Sequence, residues 1–254
     1  MLVRKIFLLF VTLLVTNITH AQNIEWYVDD VLYSTSSCES GDDVVVPTAP
    51  NKSGYTFVGW DSVYDRILYL ESSGTQYIDT GYIPNQDTAI KAKLQFSSVA
   101  NNQANFGGAG YSYNQQDFEL GLWDRKFSIS YYNYNNNSIP VTISTEDIID
   151  IDWNKNIFQY SINNNPASPI PFLYGTFSAS PYSMTLFANK RPNGVNKGKV
   201  KIYYCQIYDN GSLVHDFIPV IDYNNIPCML DKVTNQFFYN AGTGDFIAGP
   251  KINE

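Results

Sequence analysis

The sequence is short of charge, cysteine and histidine, and each shortage argues against a class of chemistry. Charged residues make up 16% of the 254 residues, with two histidines and three cysteines. Zinc is disfavoured because no Cys-x-x-Cys pair occurs and His215 is the only histidine beyond the first 21 residues. Nucleic acid is also disfavoured as a partner, since a net charge of −8 leaves no basic patch to neutralise phosphates.

Long apolar runs are missing beyond the N-terminus. Residues 6–15 form the one extended apolar stretch, about half the length needed to span a bilayer. Arg4 and Lys5 precede it, and Thr19-His20-Ala21 supplies the small residues of a cleavage site. We therefore expect a signal peptide over residues 1–21, cleaved near Ala21. The mature chain would be secreted, periplasmic or on the cell surface, with no membrane span.

The cysteines are few and odd in number. Export permits disulfides, but a domain of this size does not need one to fold. Two interpretations stay open: Cys38, Cys205 and Cys228 are all semi-buried thiols, or Cys205 and Cys228 are bridged.

Tyrosine, asparagine, glycine and proline are abundant instead, which favours strands and turns over helices. Residues 88–96 alternate between apolar and polar side chains, as expected of a half-buried strand. The glycine-rich passage 105–110 is expected to form a turn. Residues 148–153 and 157–162 predict a hairpin, and about a dozen short strands without an amphipathic helix predict a β-sandwich over residues 67–250.

The clearest structural signal is the stretch KVKIYYCQIYDNGSLVHDFIP at residues 199–219. Its Asn210-Gly211 pair predicts a tight two-residue hairpin turn, because both central positions need positive φ. This turn predicts Tyr208 opposite Leu213 and Cys205 opposite Asp216. The apolar alternation changes phase within the first strand, so we expect a β-bulge near Tyr204 or burial of both faces.

Residues 24–60 contain a valine-rich run, two prolines and the motif Gly-Tyr-Thr-Phe-Val-Gly-Trp at 54–60. This pattern resembles the Listeria–Bacteroides repeat family, which is similar to the internalin B-repeat. The resemblance implies a small β-grasp-like module over residues 22–61, acting as a spacer, followed by a linker at 62–66.

Three blocks, at 69–81, 199–211 and 240–244, resemble concanavalin A-like, laminin-G-like domains of secreted bacterial proteins. The resemblance implies an all-β jelly-roll sandwich. It leaves function open, because that superfamily includes lectins, glycosidases, adhesion modules and spacers.

Candidate catalytic residues are sparse. Asp150 and Asp152 would share one strand face, but the third acid of the sandwich glycosidases is missing, and a solvated strand face explains them equally well. His215 is expected at a surface or edge position opposite Gln206, with no nucleophile elbow in the sequence. A calcium site remains an alternative, since its ligand types are present on predicted loops at Asp117, Asp124, Asn133 and Asn135.

Aromatic and amide side chains are the most suggestive feature of the surface. Sugars stack on exposed rings while amides and carboxylates bond their hydroxyls. The candidate ligand-binding residues are Trp123, Tyr132, Tyr134, Asn133, Tyr111 and Tyr113. Strand alternation predicts that Tyr131 is a core residue and Tyr132 an exposed one.

The sequence thus predicts a secreted or cell-surface, non-catalytic protein that recognises a carbohydrate or a surface partner. No cofactor is expected. The alternatives are a divergent glycoside hydrolase of the sandwich class and a purely structural surface or stalk protein.

Overall fold

A computed structural model describes most of the chain, and every regular element in it is a β-strand. It describes residues 9–12, 22–28, 31–38, 45–54, 57, 64–101, 103, 105–110, 117–132, 134–136, 139, 141–167, 169–171 and 181–252. No helix occurs in these ranges, and thus none that is long and apolar enough to cross a membrane. The prediction of an all-β protein is confirmed.

The chain divides into two compact units. The first comprises Met1–Asp65 and Asp222–Ile226, so its boundary lies within the predicted linker. It contains an antiparallel sheet in the order β1 (Leu9–Thr12), β2 (Gln22–Val28) and β3 (Val31–Cys38). Trp26 is buried and its Nε1 donates to Ser36 Oγ at 2.9 Å. The strand β1 lies in the predicted signal peptide, while most of the motif at 54–60 lies outside the described residues.

The second unit comprises Arg66–Ile221 and Pro227–Glu254 and contains two sheets. A short strand, β4 (Tyr64–Arg66), lies at the boundary of the units. The small sheet has the order β11-β10-β9-β8-β16-β6, with β17 beside β8 and β18 beside β17. Its strands are β6 (Ile78–Asp79), β8 (Asn105–Ala109), β9 (Asp117–Trp123), β10 (Lys126–Tyr132), β11 (Tyr134–Asn136), β16 (Thr185–Leu186), β17 (Ala188–Arg191) and β18 (Gly194–Lys197).

The large sheet has the order β14-β13-β12-β7-β19-β20-β21-β22, with β5 between β19 and β23, and β15 beside β13. Its strands are β5 (Leu70–Ser73), β7 (Thr88–Phe96), β12 (Ile149–Trp153), β13 (Ile157–Ile162), β14 (Asn165–Pro166), β15 (Ile170–Pro171), β19 (Lys199–Asp209), β20 (Ser212–Asp222), β21 (Pro227–Asp231), β22 (Gln236–Phe238) and β23 (Ile247–Ala248). The predicted hairpin of β12 and β13 is confirmed, with Trp153 opposite Phe158.

The two sheets of the second unit share one apolar core. Along β7 every second residue from Thr88 to Phe96 is buried, which confirms the predicted half-buried strand. Phe118 of the small sheet stacks on Trp153 of the large sheet, with ring centroids 4.3 Å apart. Tyr131 is fully buried beside them, as predicted, and its hydroxyl donates to the Thr88 carbonyl at 2.9 Å. This packing is consistent with an all-β sandwich.

The predicted hairpin is present as β19 and β20. Asn210 and Gly211 have φ values of 47° and 78°. The bulge expected near Tyr204 is confirmed, because the pairing of β19 with β7 shifts between Ile202 and Tyr204. The predicted register is correct near the turn and wrong beyond it. A second bulge between Ile207 and Tyr208 shifts the pairing, so Cys205 lies opposite Phe217 and not opposite Asp216.

Cys205 and Cys228 are both buried and are not bridged to each other. Cys205 pairs with Phe217 of β20, whereas Cys228 pairs with Val220 on the other side of that strand. Two strand spacings therefore separate them, about 10 Å, which is beyond the reach of a disulfide. Burial raises the pKa of the Cys205 thiol, so this group is an unreactive core side chain.

The glycine-rich passage at 105–110 is strand β8, so the expected turn is wrong. Its glycines are there because neighbouring strands come too close for a side chain. A Cβ on Gly107 would lie 2.7 Å from the Thr185 carbonyl oxygen, and one on Gly108 would lie 2.6 Å from that of Phe118.

Two of the blocks that carry the laminin-G-like resemblance meet where the domain begins and ends. Gln76 Nε2 donates to the Asp245 carbonyl at 2.8 Å, and the Tyr77 amide donates to Asn240 Oδ1 at 3.2 Å. A Cβ on Gly242 would lie 2.2 Å from the Thr75 carbonyl oxygen. These contacts therefore join the N-terminal part of the domain to its C-terminal part.

Candidate functional site

The outer face of the small sheet carries the strongest candidate site. In β9, Phe118, Leu120 and Leu122 belong to the core. Because strand side chains alternate, Glu119 and Trp123 lie on the opposite, outer face. Trp123 is 48% exposed, the result that a stacking platform requires.

Small residues separate Trp123 from Glu119. Gly121 lies between them on β9, and the facing strand β10 places Ser128 opposite Gly121 and Ser130 opposite Glu119. We call this surface the trough: it runs along β9 for about 13 Å from Trp123 to Glu119. Gly121 is buried and Ser128 and Ser130 are half-buried, so the Trp123 end is the open part of the trough.

A buried ion pair closes the far end of the trough. Glu119 is 6% exposed, and its carboxylate accepts from Nε of Arg191 at 2.7 Å and also from Nη2. Such a two-point pair fixes the guanidinium plane. Gly108 permits it, because a Cβ there would lie 2.9 Å from Glu119 Cγ.

A second ion pair lies further across the same sheet. Lys190 Nζ donates to Asp79 Oδ2 at 2.6 Å, and Ser183 Oγ donates to Asp79 Oδ1. Burial opposes ionisation of Asp79, but these partners and the Gly81 amide hold its pKa below the ordinary value. The charges on this part of the face are thus already neutralised in pairs.

The predicted ligand-binding residues do not form one cluster. Trp123 lies at the turn between β9 and β10, opposite Lys126, whereas Tyr132 lies at the other end of β10, opposite Asp117. About 20 Å of strand separates them, so they cannot contact the same sugar ring. Tyr134 pairs with Tyr131 at that far end. The side chains of Tyr132 and Tyr134, and all of Tyr111, Tyr113 and Asn133, lie outside the described residues.

Glu119 and Arg191 are the site residues that sequence reasoning missed. Alternation along β9 could have placed Glu119 on the Trp123 face. No local pattern could have found Arg191, because it reaches Glu119 from β17, which pairs with β8 in parallel.

The turn beside Trp123 is firmly held. Asp124 and Arg125 have positive φ values of 48° and 62°. Asn101 bonds both the backbone amide and the carboxylate of Asp124, at 2.8 and 2.9 Å. Arg125 accepts from the Ile143 amide through its carbonyl and donates to the Ile143 carbonyl through Nε.

The two acids suggested for calcium lie far apart, while Asn133 and the side chain of Asn135 lie outside the described residues. Asp117 is the first residue of β9 and Asp124 follows its last, which places their backbones about 23 Å apart. In the described part of the chain, no three His, Cys, Asp or Glu residues are grouped so as to hold a metal ion.

Asp150 and Asp152 lie on the outer face of the large sheet, each beside a lysine. Asp150 lies 3.7 Å from Lys93 Nζ and Asp152 lies 3.4 Å from Lys91 Nζ. These cross-strand pairs are typical of a solvated sheet face.

His215 differs from its prediction in register and in environment. It lies opposite Ile207, not Gln206, and its ring stacks on Phe217 with centroids 5.2 Å apart. Its Nδ1 bonds Asp231 Oδ2 at 2.8 Å. His215 is therefore a packed side chain rather than a surface one, because the bulge before Tyr208 turns it towards the core.

Comparison with models of protein families, with curated proteins and with solved structures finds no match for this chain.

Proposed function

We propose that this is a secreted or cell-surface, non-catalytic protein that binds carbohydrate on the outer face of its small sheet. In this proposal the second unit is a concanavalin A-like, laminin-G-like jelly-roll domain. The first unit is a Listeria–Bacteroides repeat-like spacer that follows a cleaved signal peptide.

The observation that carries the proposal is the half-exposed Trp123 at one end of the trough. An indole ring this exposed gains little from the core, but it offers a flat apolar surface to the ring of a sugar. Beside it on the same face lie the hydroxyls of Ser128 and Ser130, and the far end of the trough is lined with charged groups. This combination of one stacking ring and polar groups suits a carbohydrate.

The carboxylates support binding over catalysis. Glycoside hydrolysis needs one carboxylic acid that can give up a proton beside a second carboxylate. Glu119 is paired with Arg191, while Asp150 and Asp152 lie beside lysines on the other sheet. We therefore expect no turnover of β-glucans, and Asp150→Asn should change no activity.

The test is binding of the mature chain to a glycan array, followed by calorimetry on the best ligand. Trp123→Ala should weaken binding by ~1–2 kcal/mol, roughly five- to thirtyfold, because one stacking contact is lost. Tyr239→Ala is the matched control, since it removes another exposed ring, 43% exposed, that follows β22 of the large sheet. Its affinity should equal that of the wild type.

Thermal unfolding of Trp123→Ala separates binding from folding. The melting temperature should stay close to the wild-type value because the side chain is half exposed. Unfolding of the variant would show that Trp123 is a core residue. Absence of any glycan binding at millimolar concentration would favour the structural alternative.

A further inference from the structure

The turn at the Trp123 end of the trough has a backbone that its sequence does not favour. Both central residues, Asp124 and Arg125, have positive φ. Glycine and asparagine adopt this conformation cheaply, whereas a residue such as arginine pays about 1–2 kcal/mol. Strain of this kind at an exposed position points to a role for the side chain itself.

The turn is also rigid, although it is exposed. Asn101 bonds Asp124 at two points, and the backbone of Ile143 is bonded to Arg125 at two points. The side chains next to Trp123 are thus presented from a fixed backbone, which reduces the entropy lost when a ligand binds.

Arg125 and Lys126 are exposed cations without an ion-pair partner in the described part of the chain. Most described cations of this domain are engaged otherwise. Lys91, Lys93, Lys155, Lys190, Arg191 and Lys232 form ion pairs, and Lys197 and Lys201 lie over tyrosine rings. Two adjacent exposed cations without a carboxylate partner among the described residues are conspicuous in a chain of net charge −8.

Lys126 has the position to act together with Trp123. The two residues are directly opposite each other in the closing pair of the hairpin. Side chains of such a pair project from the same face with Cβ atoms about 5 Å apart. A sugar stacked on the indole would therefore hold its substituents within reach of the Lys126 ammonium. The Asp124 carboxylate is directed to the Asn101 amide, which donates to Oδ1.

We propose that the Trp123–Lys126 turn recognises an anionic group, a carboxylate or a sulfate, on the glycan that stacks on Trp123. Lys126 binds this group, and Arg125 adds to the local positive potential. The proposal rests on the proposed carbohydrate-binding function and names the ligand class of that site. The negative charge of the rest of the protein repels polyanions elsewhere, so such ligands are concentrated at this turn.

The experiment compares ligands that differ only in charge. Polygalacturonate is paired with its fully methyl-esterified form, and dextran sulfate is paired with dextran. Calorimetry at low and high salt should show preference for the charged member of at least one pair. A preference within the polygalacturonate pair would indicate that the site binds a carboxylate, and a preference within the dextran pair would indicate a sulfate. The preference should fall steeply with salt, because an exposed charge pair is screened.

The variants are Lys126→Gln and Arg125→Gln, with Lys201→Gln as the control for the same change in net charge. Lys126→Gln should weaken binding of the charged ligand by about fivefold to tenfold at low salt and leave the uncharged ligand unaffected. Arg125→Gln should act in the same direction but less. Lys201→Gln, on the outer face of the large sheet, should change the binding of neither the charged nor the uncharged ligand.

Equal binding of charged and uncharged glycans, or indifference to Lys126→Gln, would overturn this inference and leave the proposed function standing. Binding of no glycan at all would overturn both. Polyglutamate serves as the acidic peptide control: binding of polyglutamate as tight as that of the best charged glycan, and unaffected by Trp123→Ala, would also overturn the inference.

Discussion

Two hairpin turns of the second unit each have two central residues of positive φ but have very different sequences. The turn between β19 and β20 is Asn210-Gly211, with φ values of 47° and 78°. The turn between β9 and β10 is Asp124-Arg125, with φ values of 48° and 62°. Both connect antiparallel strands through two residues of positive φ, which matches the twist of the strands.

The difference shows what each turn is for. Asn-Gly is the sequence with the lowest backbone cost for this turn. Its contact is structural, because the backbone N–H of Asn210 donates to the Asp87 carbonyl at 3.2 Å. Asp-Arg is a costly solution beside an exposed tryptophan. Stability alone would favour Asn-Gly at both places, so the Asp124-Arg125 turn has to be explained by what its side chains do.

The largest expected effect lies beside the β19–β20 hairpin, at Asp231, the last residue of β21, which pairs with Phe217 of β20. Asp231 is fully buried and accepts bonds from His215 Nδ1, Thr234 Oγ1 and the amides of Asp216 and Val233. Asp231→Ala leaves these donors unsatisfied and should cost about 3 kcal/mol in urea unfolding. Asp124→Ala, its counterpart at the exposed turn, should cost no more than about 1 kcal/mol. If the two variants lost the same free energy of unfolding, the contrast between a structural carboxylate at Asp231 and an exposed one at Asp124 would be wrong.

The Asp231 carboxylate also makes the free energy of unfolding depend on pH. Burial opposes ionisation of Asp231, but the bonds from His215 and the other donors hold its pKa below the ordinary value. A depressed carboxyl pKa contributes stability above the unfolded-state pKa of about 3.9, and this contribution is lost as pH falls through the folded value. Asp231→Asn should therefore flatten the loss of stability below about pH 4.

These two turns also show how far the sequence could be interpreted. Alternation in 88–96 and the Asn210-Gly211 pair are local signals, and both predictions are confirmed. The register at Cys205 was missed because no local pattern marks the bulge between Ile207 and Tyr208. The strand at 105–110 has no local signal, because the atoms that exclude a side chain at Gly108 belong to Phe118 and Glu119 of the neighbouring strand β9.

The candidate site was predictable only in part, for the same physical reason. Trp123 was identified because an aromatic residue beside polar ones is visible locally. Its separation from Tyr132 follows from the hairpin itself, and the Glu119–Arg191 pair follows from the parallel contact of β17 with β8. Contacts between distant strands leave no mark in the local sequence.

A smaller effect on stability is expected when the Asp-Arg sequence replaces Asn210-Gly211 in the turn between β19 and β20. A Cβ on Gly211 would meet no atom within 4 Å, so space is available and the backbone alone resists substitution. Asn210→Asp combined with Gly211→Arg should destabilise the protein by about 1–2 kcal/mol in urea. The β9–β10 turn is untouched, and glycan binding should therefore stay at the wild-type level. A variant as stable as the wild type would show that arginine carries no backbone cost in this conformation.

The reciprocal change is the sharpest test, although its effect on stability is the smallest. Arg125→Gly gives Asp-Gly, another favoured sequence for this turn; it keeps the Asp124 carboxylate for Asn101 and relieves the strained arginine without removing a negative charge. It loses the bond from Arg125 Nε to the Ile143 carbonyl, which is part-exposed, so the net gain should be about 0.5–1 kcal/mol. Binding of the charged glycan should weaken while that of its uncharged partner is kept, because Trp123 and Lys126 remain and the Arg125 charge is gone. A protein that is more stable and binds less well would show that the turn trades stability for recognition. A protein that is more stable and binds charged glycans equally well would show that Arg125 has no role in binding, and the contrast between the two turns would lose its functional meaning.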